Sequence, residues 1–274
     1  LYKRVQSYCF FVMWQNFLPI IFAKCLIFLI FAKYMEVKTK AIVLRTVKYG
    51  DSRIIVDMLT AHSGRVSFAC TLSKTNRGKI KRQLFQLLTI LEVDYDERAT
   101  TELQRLRDVR MVHPYVSIPF NPYKLSIGMF LAEFLLYATH GEHDSEHLED
   151  FTETSLLWLD NAPEGFANFH LVFMLHVSLF IGFYPNLEGY SEGAWFDLRD
   201  GSFVKVCPPH PDYLKPTDAR RILLLMRMTF DNMHLFKMSR ADRGRCLEVI
   251  VSYYRLHVPN FPEMKSLAVL RSLF

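Results

Sequence analysis

Residues 41–70, AIVLRTVKYGDSRIIVDMLTAHSGRVSFAC, hold three β-like runs in close succession, joined by two tight turns. Tyr49-Gly50-Asp51-Ser52 makes the first turn. His62-Ser63-Gly64 makes the second, and its glycine suits a positive φ. The first run spans 37–47 and centres on Ile42, Val43 and Leu44. In the second, 53–60, Ile54, Val56 and Met58 alternate against Ile55, Asp57 and Leu59. The third covers 65–72, and residues 85–94 and 102–113 read as a fourth and a fifth. Short strands in such quick succession, with one long connection between the third and fourth, predict a small closed barrel.

Beyond Pro122 the hydrophobic period changes from two to that of a helix. Segment 123–140 carries Leu125, Met129, Phe130, Ala132, Phe134 and Leu136, and 145–159 continues with Leu148, Phe151, Leu156 and Leu157. Segment 164–183 is apolar on most of its surface, which marks a buried helix. Further helices are expected from Thr217, a capping-type residue just after Pro216, over 240–257, and over 262–273. Between Pro185 and Pro216 the helical pattern stops. Runs 195–198 and 202–206 flank Asp200-Gly201 as a β-hairpin, held by Trp195, Phe196 and Phe203. The expected class is α+β. The domains are a barrel over 35–115 and a helical domain over 120–274, with the hairpin inserted at 185–216.

Half of the 274 residues are apolar and 22% are charged, as in an ordinary globular protein. The formal net charge is +5. Its distribution says more: residues 35–113 hold fifteen Lys/Arg against nine Asp/Glu, so the excess sits in the barrel segment. The five cysteines are odd in number and far apart, which suits a reducing cytoplasm better than a disulfide framework. Residues 8–32, YCFFVMWQNFLPIIFAKCLIFLIFA, are nearly all apolar. A membrane anchor and an uncleaved signal sequence are two readings of them. Gln15, Asn16, Pro19 and Lys24 interrupt the run, and no small-residue cleavage site follows it. An upstream extension over 1–34, with Met35 as the native initiator, is the third reading and fits best.

The basic stretch SKTNRGKIKR (73–82) follows the third strand directly. Its Lys74, Arg77, Lys79, Lys81 and Arg82 form an arm able to track phosphates, with Lys38, Lys40, Arg45, Lys48, Arg53 and Arg65 on nearby strands and turns. A solvated basic loop is the plainer alternative. Tyr49 and Phe68 could stack on bases if they face outward; an inward, core position is expected for Phe68. Catalytic motifs are missing: there is no Walker-type loop, no G-x-S-x-G and no H-E-x-x-H. The run HGEHDSEHLED (140–150) places His143 and His147 four apart, but reads as a polar link and helix start. His170 and His176 lie in an apolar helix and are expected to be structural. Cys207 and His210 have a two-ligand spacing without a second pair, so no zinc, no other cofactor and no enzymatic activity are expected.

The opening KTKAIVLRT (38–46), YGDSRIIVDMLT (49–60) and HSGRVS (62–67) resemble the bacterial recombination mediator family RecO. The resemblance is strong over 35–113 and extends through domain order to about residue 257, and it begins just after Met35. It implies an OB-fold barrel in place of an SH3-like one. It also implies a four-cysteine zinc site in the 185–210 insert, from which this chain departs. Carried over as expectation, the function is a cytoplasmic, nucleoid-associated mediator of DNA repair and RecF-pathway recombination. It would bind single- and double-stranded DNA through Lys38, Lys40, Arg45, Arg53, Arg65, Lys74, Arg77, Lys79, Lys81 and Arg82. It would anneal complementary strands and, with RecR, help load RecA onto strands coated by single-stranded DNA-binding protein, whose acidic C-terminal tail docks on the helical domain. Arg220, Arg221, Arg227, Lys237, Arg240, Arg243 and Arg245 could rim such a groove. No small-molecule substrate is implied. The alternative is an OB-fold interaction protein that binds RNA or a protein.

Overall fold

The computed structural model describes residues 35–72, 80–98, 101–139 and 146–273. The apolar segment 1–34, the loop cations Lys74, Arg77 and Lys79, and the histidines His140 and His143 lie outside the described residues. Strands β1 (Met35–Lys48), β2 (Arg53–Thr60), β3 (Gly64–Thr71), β4 (Ile90–Glu97) and β5 (Leu103–His113) close a barrel in the order β1-β2-β3-β5-β4. Of these pairings, only that of β3 with β5 is parallel. This is the expected OB-type barrel, and a helical domain follows it. The β1 strand serves two neighbours: its first half pairs with β4 and its second half with β2. The inward row holds Val37, Ala41, Val43, Ile54, Val56, Met58, Phe68, Val93 and Tyr95, all buried. Phe68 meets Tyr95 edge-on at 5.0 Å, so its inward position is confirmed.

The fourth strand starts later than its apolar run suggests. Residues 82–85 form a 3₁₀ turn that turns Phe85 into the barrel, and pairing begins only at Ile90. Between them the chain bonds to β1 irregularly: Leu88 N–H donates to Val43 O at 2.7 Å, and Val43 N–H to Thr89 O at 3.1 Å. This is where β1 bulges. Val43 pairs with Met58 and Arg45 with Asp57, which leaves Leu44 as the extra residue. The bulge frees Leu44 to face the helices while Arg45 stays opposite Asp57.

The helical domain comprises α1 (Pro122–Ala138), α2 (Glu146–Asn161), α3 (Phe169–Ile181), α4 (Pro216–Met226), α5 (Arg240–His257) and α6 (Ser266–Leu273). Asn121 caps α1, its side-chain oxygen accepting from Tyr123 and Lys124 N–H. The α3 helix begins five residues later than the apolar run suggests: Gly165 lies at φ 79°, and a short 3₁₀ turn over Phe166–Asn168 precedes the helix. The α4 helix starts at Pro216 itself, with Lys215 rather than Thr217 flanking it. In the insert, β6 (Trp195–Asp197) and β7 (Ser202–Val204) form the expected hairpin, and a two-residue strand β8 (Tyr213–Leu214) adds a third member. Phe196 and Phe203 are buried against Ile222, Val249 and Tyr253. Trp195 is not part of that core; it sits at the rim against Tyr213, ring centres 5.0 Å apart. Gly201, at φ 62°, leaves its Cβ position to the Tyr253 hydroxyl, so no larger residue fits there.

Barrel and helices share a continuous apolar seam. Outward-facing Ile42 and Ile90 meet Ala132 and Leu156, while Leu44 and Leu59 join the main helical core. Gly128 of α1 allows the close approach: a Cβ there would stand 3.2 Å from Leu88 Cδ1. Polar links flank the seam. Lys40 Nζ donates to Glu153 Oε2 at 2.8 Å, and Arg65 Nη1 donates to Leu136 O at 2.7 Å. Asp160, at the end of α2, accepts the backbone N–H groups of Val116, Ser117 and Ile118 at 2.7–2.8 Å, pinning the connection between the domains. The Glu153 hydrogen bond raises the Lys40 pKa above its usual value, against the opposing effect of burial.

Removal of Lys40 leaves the buried Glu153 carboxylate without this partner. Lys40→Met is therefore expected to lower the unfolding free energy in urea by about 2 kcal/mol, less than for a fully buried pair because Lys40 is half exposed. Glu149 lies one turn before Glu153 and is buried, with Oε1 lacking a hydrogen-bond partner among the described residues. Burial, reinforced by the Glu153 charge, raises its pKa from 4.5 to about 7. The folded state thus holds a proton that the unfolded chain releases above pH 4.5, so this contribution to stability is full below pH 4.5 and is lost as pH rises through about 7. Glu149→Gln keeps the neutral shape. Thermal melts are expected to show its Tm several degrees above the parent at about pH 8 and nearly equal to it at about pH 4.5.

Candidate nucleic-acid interface

The outer barrel wall is divided by charge. Along β4, Glu92, Asp94 and Asp96 alternate outward in an acidic stripe, by the strand's period of two. Lys38 and Arg110 both pair with Glu92, Lys38 at 3.7 Å, and Arg107 pairs with Glu36 at 3.0 Å and Asp96 at 3.2 Å. Lys38, expected from sequence among the DNA contacts, therefore stands in a locally neutral setting.

Two more of the expected cations are committed to the seam. Lys40 holds Glu153, and Arg65 holds the Leu136 carbonyl; burial lowers the Arg65 pKa. Arg45 lies outside the seam but donates Nε–H to Asp57 at 2.6 Å, and Ser67 donates to the same carboxylate. The three contacts share one cause: each residue faces a carboxylate or carbonyl that only the folded chain brings near.

The remaining cations gather at one end of the barrel. Lys48, Tyr49 and Arg53 flank the β1–β2 turn, and all three are exposed, Tyr49 by 61%. The basic loop leaves and re-enters beside them. Leu72 N–H donates to Ser52 O at 2.8 Å where the loop begins, and Thr46 Oγ1 donates to Phe85 O at 2.8 Å where it ends. Lys81 and Arg82, exposed at the start of the 3₁₀ turn where the chain returns, therefore share this end with Arg53. Arg105 of β5 lies on the same outer wall, since it pairs with Ala69, which pairs with Ile55, but on its other side it stands opposite Asp96 of the acidic stripe. The alternation of β5 makes Arg105 an outward residue, but no motif in the sequence marks it.

A second cationic feature lies on the helical domain. A cavity of about 580 Å³ is lined by Arg240, Arg243, Arg245 and Arg271 and by the Glu248 carboxylate, which stands 3.4 Å from Arg245 and 3.2 Å from Arg271, with Leu247 and Leu270 supplying apolar surface. Arg240 donates twice to Arg271 O, at 2.6 and 3.1 Å, tying α5 to α6. Arg243 is held by Asn168 Oδ1 at 2.9 Å, and Arg245 by Asp218 at 2.8 Å. His170 borders the same cavity; burial, assisted by the Arg243 charge, pushes its pKa down to about 3, so it stays neutral near pH 7. Of the seven cations expected to rim a groove, Arg240, Arg243 and Arg245 line this cavity. Arg220 pairs with Glu192 and Arg221 with Asp218 and Asp242, while Arg227 and Lys237 stand exposed elsewhere. Arg271 and His170 reach the cavity from distant parts of the chain, which gave no sequence signal.

In the insert, His210 Nε2 meets Asp197 Oδ2 at 3.1 Å, while Cys207 is exposed. Among the described residues no group of three or more His, Cys, Asp and Glu side chains is placed to hold a metal. His176 Nδ1 bonds Val172 O at 2.9 Å within α3. No helix among the described residues is long and apolar enough to cross a membrane.

Comparison with known proteins agrees with this architecture. The family model for the recombination protein O N terminal matches residues 35–115, and that for the recombination protein O C terminal matches 119–267. The DNA repair protein RecO of Phocaeicola vulgatus is 46% identical over 237 residues, covering 86% of this chain and 98% of the relative. The RecO protein of Bacteroides fragilis is 45% identical over 238 residues, with the same coverage. That of Porphyromonas gingivalis is 34% identical over 245 residues, covering 88% of this chain and all of the relative. With both family models side by side across the barrel and the helices, the chain belongs to the RecO family.

Proposed function

We propose that the chain acts in DNA repair as a RecF-pathway recombination mediator, binding single- and double-stranded DNA at the barrel end that carries Lys48, Arg53, Lys81 and Arg82. The observation that supports this most is the charge division of the barrel: seam and acidic stripe absorb Lys38, Lys40 and Arg65, while the loop end keeps its cations exposed. Lys74, Arg77 and Lys79 extend that end by sequence. Cations placed along a phosphate backbone bind by releasing counterions, so affinity falls steeply with salt. Tyr49 adds a stacking face. Two strands held by such contacts have their mutual repulsion reduced, which favours annealing. No bond-making chemistry is involved. In this reading the protein works in the cytoplasm with the nucleoid, and with RecR it helps load RecA onto strands covered by single-stranded DNA-binding protein.

The arginine-lined cavity is the proposed seat of the acidic, hydrophobic tail of single-stranded DNA-binding protein. Its arginines match carboxylates, and Leu247 and Leu270 match an apolar side chain.

Charge reversal of Lys74, Arg77, Lys79, Lys81 and Arg82 to Glu is expected to weaken oligo-dT binding at low salt by roughly 100-fold or more, with a shallower salt slope. Unchanged affinity would place the DNA surface elsewhere, and preference for structured RNA in competition would move the function to RNA. For the cavity, Arg240→Glu should weaken binding of a tail peptide about tenfold or more by fluorescence anisotropy. Because His170 is neutral throughout, the parent affinity should stay flat between about pH 6 and 8.

A further inference from the structure

Another cavity, of about 590 Å³, lies on the helical domain and shares no lining residue with the arginine-lined one. Trp158, Glu164, Gly165, Phe230, Asp231 and His234 line it. Its wall is a stack of rings. The Trp158 and Phe230 centroids lie 5.6 Å apart with the planes 27° from parallel, and both rings pack on Phe169, at 5.8 and 4.9 Å. The site is also braced. A Cβ on Gly165, which lies at φ 79°, would stand 3.0 Å from His234 Cβ, so the two segments are in contact. The buried Asn168 donates Nδ2–H to Met233 O at 3.1 Å and to Phe236 O at 3.0 Å, which fastens them. Asn232 closes the turn after α4: its Oδ1 accepts from Thr229 N–H at 2.7 Å, and its Nδ2 donates to Arg227 O at 3.0 Å. Glu164 and Asp231 are thus carried on two segments locked together.

Both carboxylates are exposed, and neither has a hydrogen bond or ion pair among the described residues. Trp158 and Phe230 are half-buried. Unpaired carboxylates beside ring faces attract a cation, the carboxylates by charge and the rings through their quadrupoles. The same charges repel phosphate, which excludes a nucleic-acid occupant. A guanidinium matches this lining. It is flat enough to continue the ring stack, its five N–H donors can serve carboxylates from two segments at once, and it is more weakly hydrated than an ammonium. A polyamine spreads its charges along a chain, and two carboxylates leave the rest unmatched. Nearby, a cation already rests on a ring of this domain: Lys124 Nζ lies 5.3 Å from the Phe166 centroid. The cavity is of a size that takes a drug-sized group, so an arginine and part of its flanking chain fit.

We infer that this cavity is a docking site for an arginine side chain of a partner protein. The inference goes beyond the DNA-binding barrel end and the tail-binding cavity, and it stands or falls without them. Trp158 makes the site its own reporter. The whole chain is titrated with the peptide acetyl-Gly-Arg-Gly-amide while tryptophan fluorescence is followed, and with the same peptide carrying citrulline, which keeps the shape of arginine without its charge. The arginine peptide is expected to change the emission saturably with a Kd of about 1 mM or below, and the citrulline peptide to leave it unchanged. Trp158→Phe keeps a ring in the stack and is expected to lose the signal. Glu164→Gln and Asp231→Asn change exposed side chains, and together they are expected to weaken the arginine peptide about tenfold or more. No saturable change up to roughly 10 mM overturns the inference. So does a signal that survives in Trp158→Phe, an affinity unaltered by the two carboxylate substitutions, or equal binding of the citrulline peptide. Spermidine that binds more tightly than the arginine peptide gives the cavity to a polyamine and overturns the choice of a protein partner. None of these results alters the reading of the barrel end, which oligo-dT binding tests separately.

Discussion

The bulge in β1 is the constraint on which the rest of this structure depends. An unbroken strand would set Leu44 opposite Asp57 and carry the following residues to the wrong faces. With one residue extra, Leu44 leaves for the helical core and Arg45 takes the place beside Asp57. Ile42, Leu59 and Ile90 then complete an apolar patch on the outside of the barrel, where water would otherwise be. Burial of that patch drives the helices onto the barrel.

Once the seam is dry, its polar members have little choice. Glu153 and the Leu136 carbonyl are taken from water and draw Lys40 and Arg65 toward them. Glu149, left next to Glu153, meets the same condition by holding its proton up to about pH 7. With Lys40 and Arg65 held by partners in the seam, the exposed cations of the barrel include Lys48, Arg53, Lys81 and Arg82. The polarity of the barrel is thus a by-product of how the domains are joined.

Much of the fold is legible in the sequence where a short-range period controls the structure. The first three strands lie where their short apolar runs place them, and Gly64 and Gly201 occupy turns with positive φ. The α5 helix spans the range expected from its pattern. Pattern and structure part where apolar residues serve an irregular backbone. Phe85 and Leu88 look like strand residues, yet one plugs the barrel from a 3₁₀ turn and the other wedges into the seam. Segment 164–168 looks helical because it is followed by an apolar helix, but Gly165 breaks the backbone first. The β8 strand, two residues long, is too short to show any period.

The sequence by itself determined the barrel, the helical domain and the concentration of positive charge in 35–113. These are properties of composition, spacing and alternation, which act over a few residues. Only the tertiary structure decided what each cation is for. Lys40 and Glu153 are 113 residues apart, and Arg65 and Leu136 are 71 apart, so no local pattern announces either contact. Four arginines on two helices converge on one cavity for the same reason. A charge's role is set by the dielectric and partners around it, and these exist only after the chain has folded.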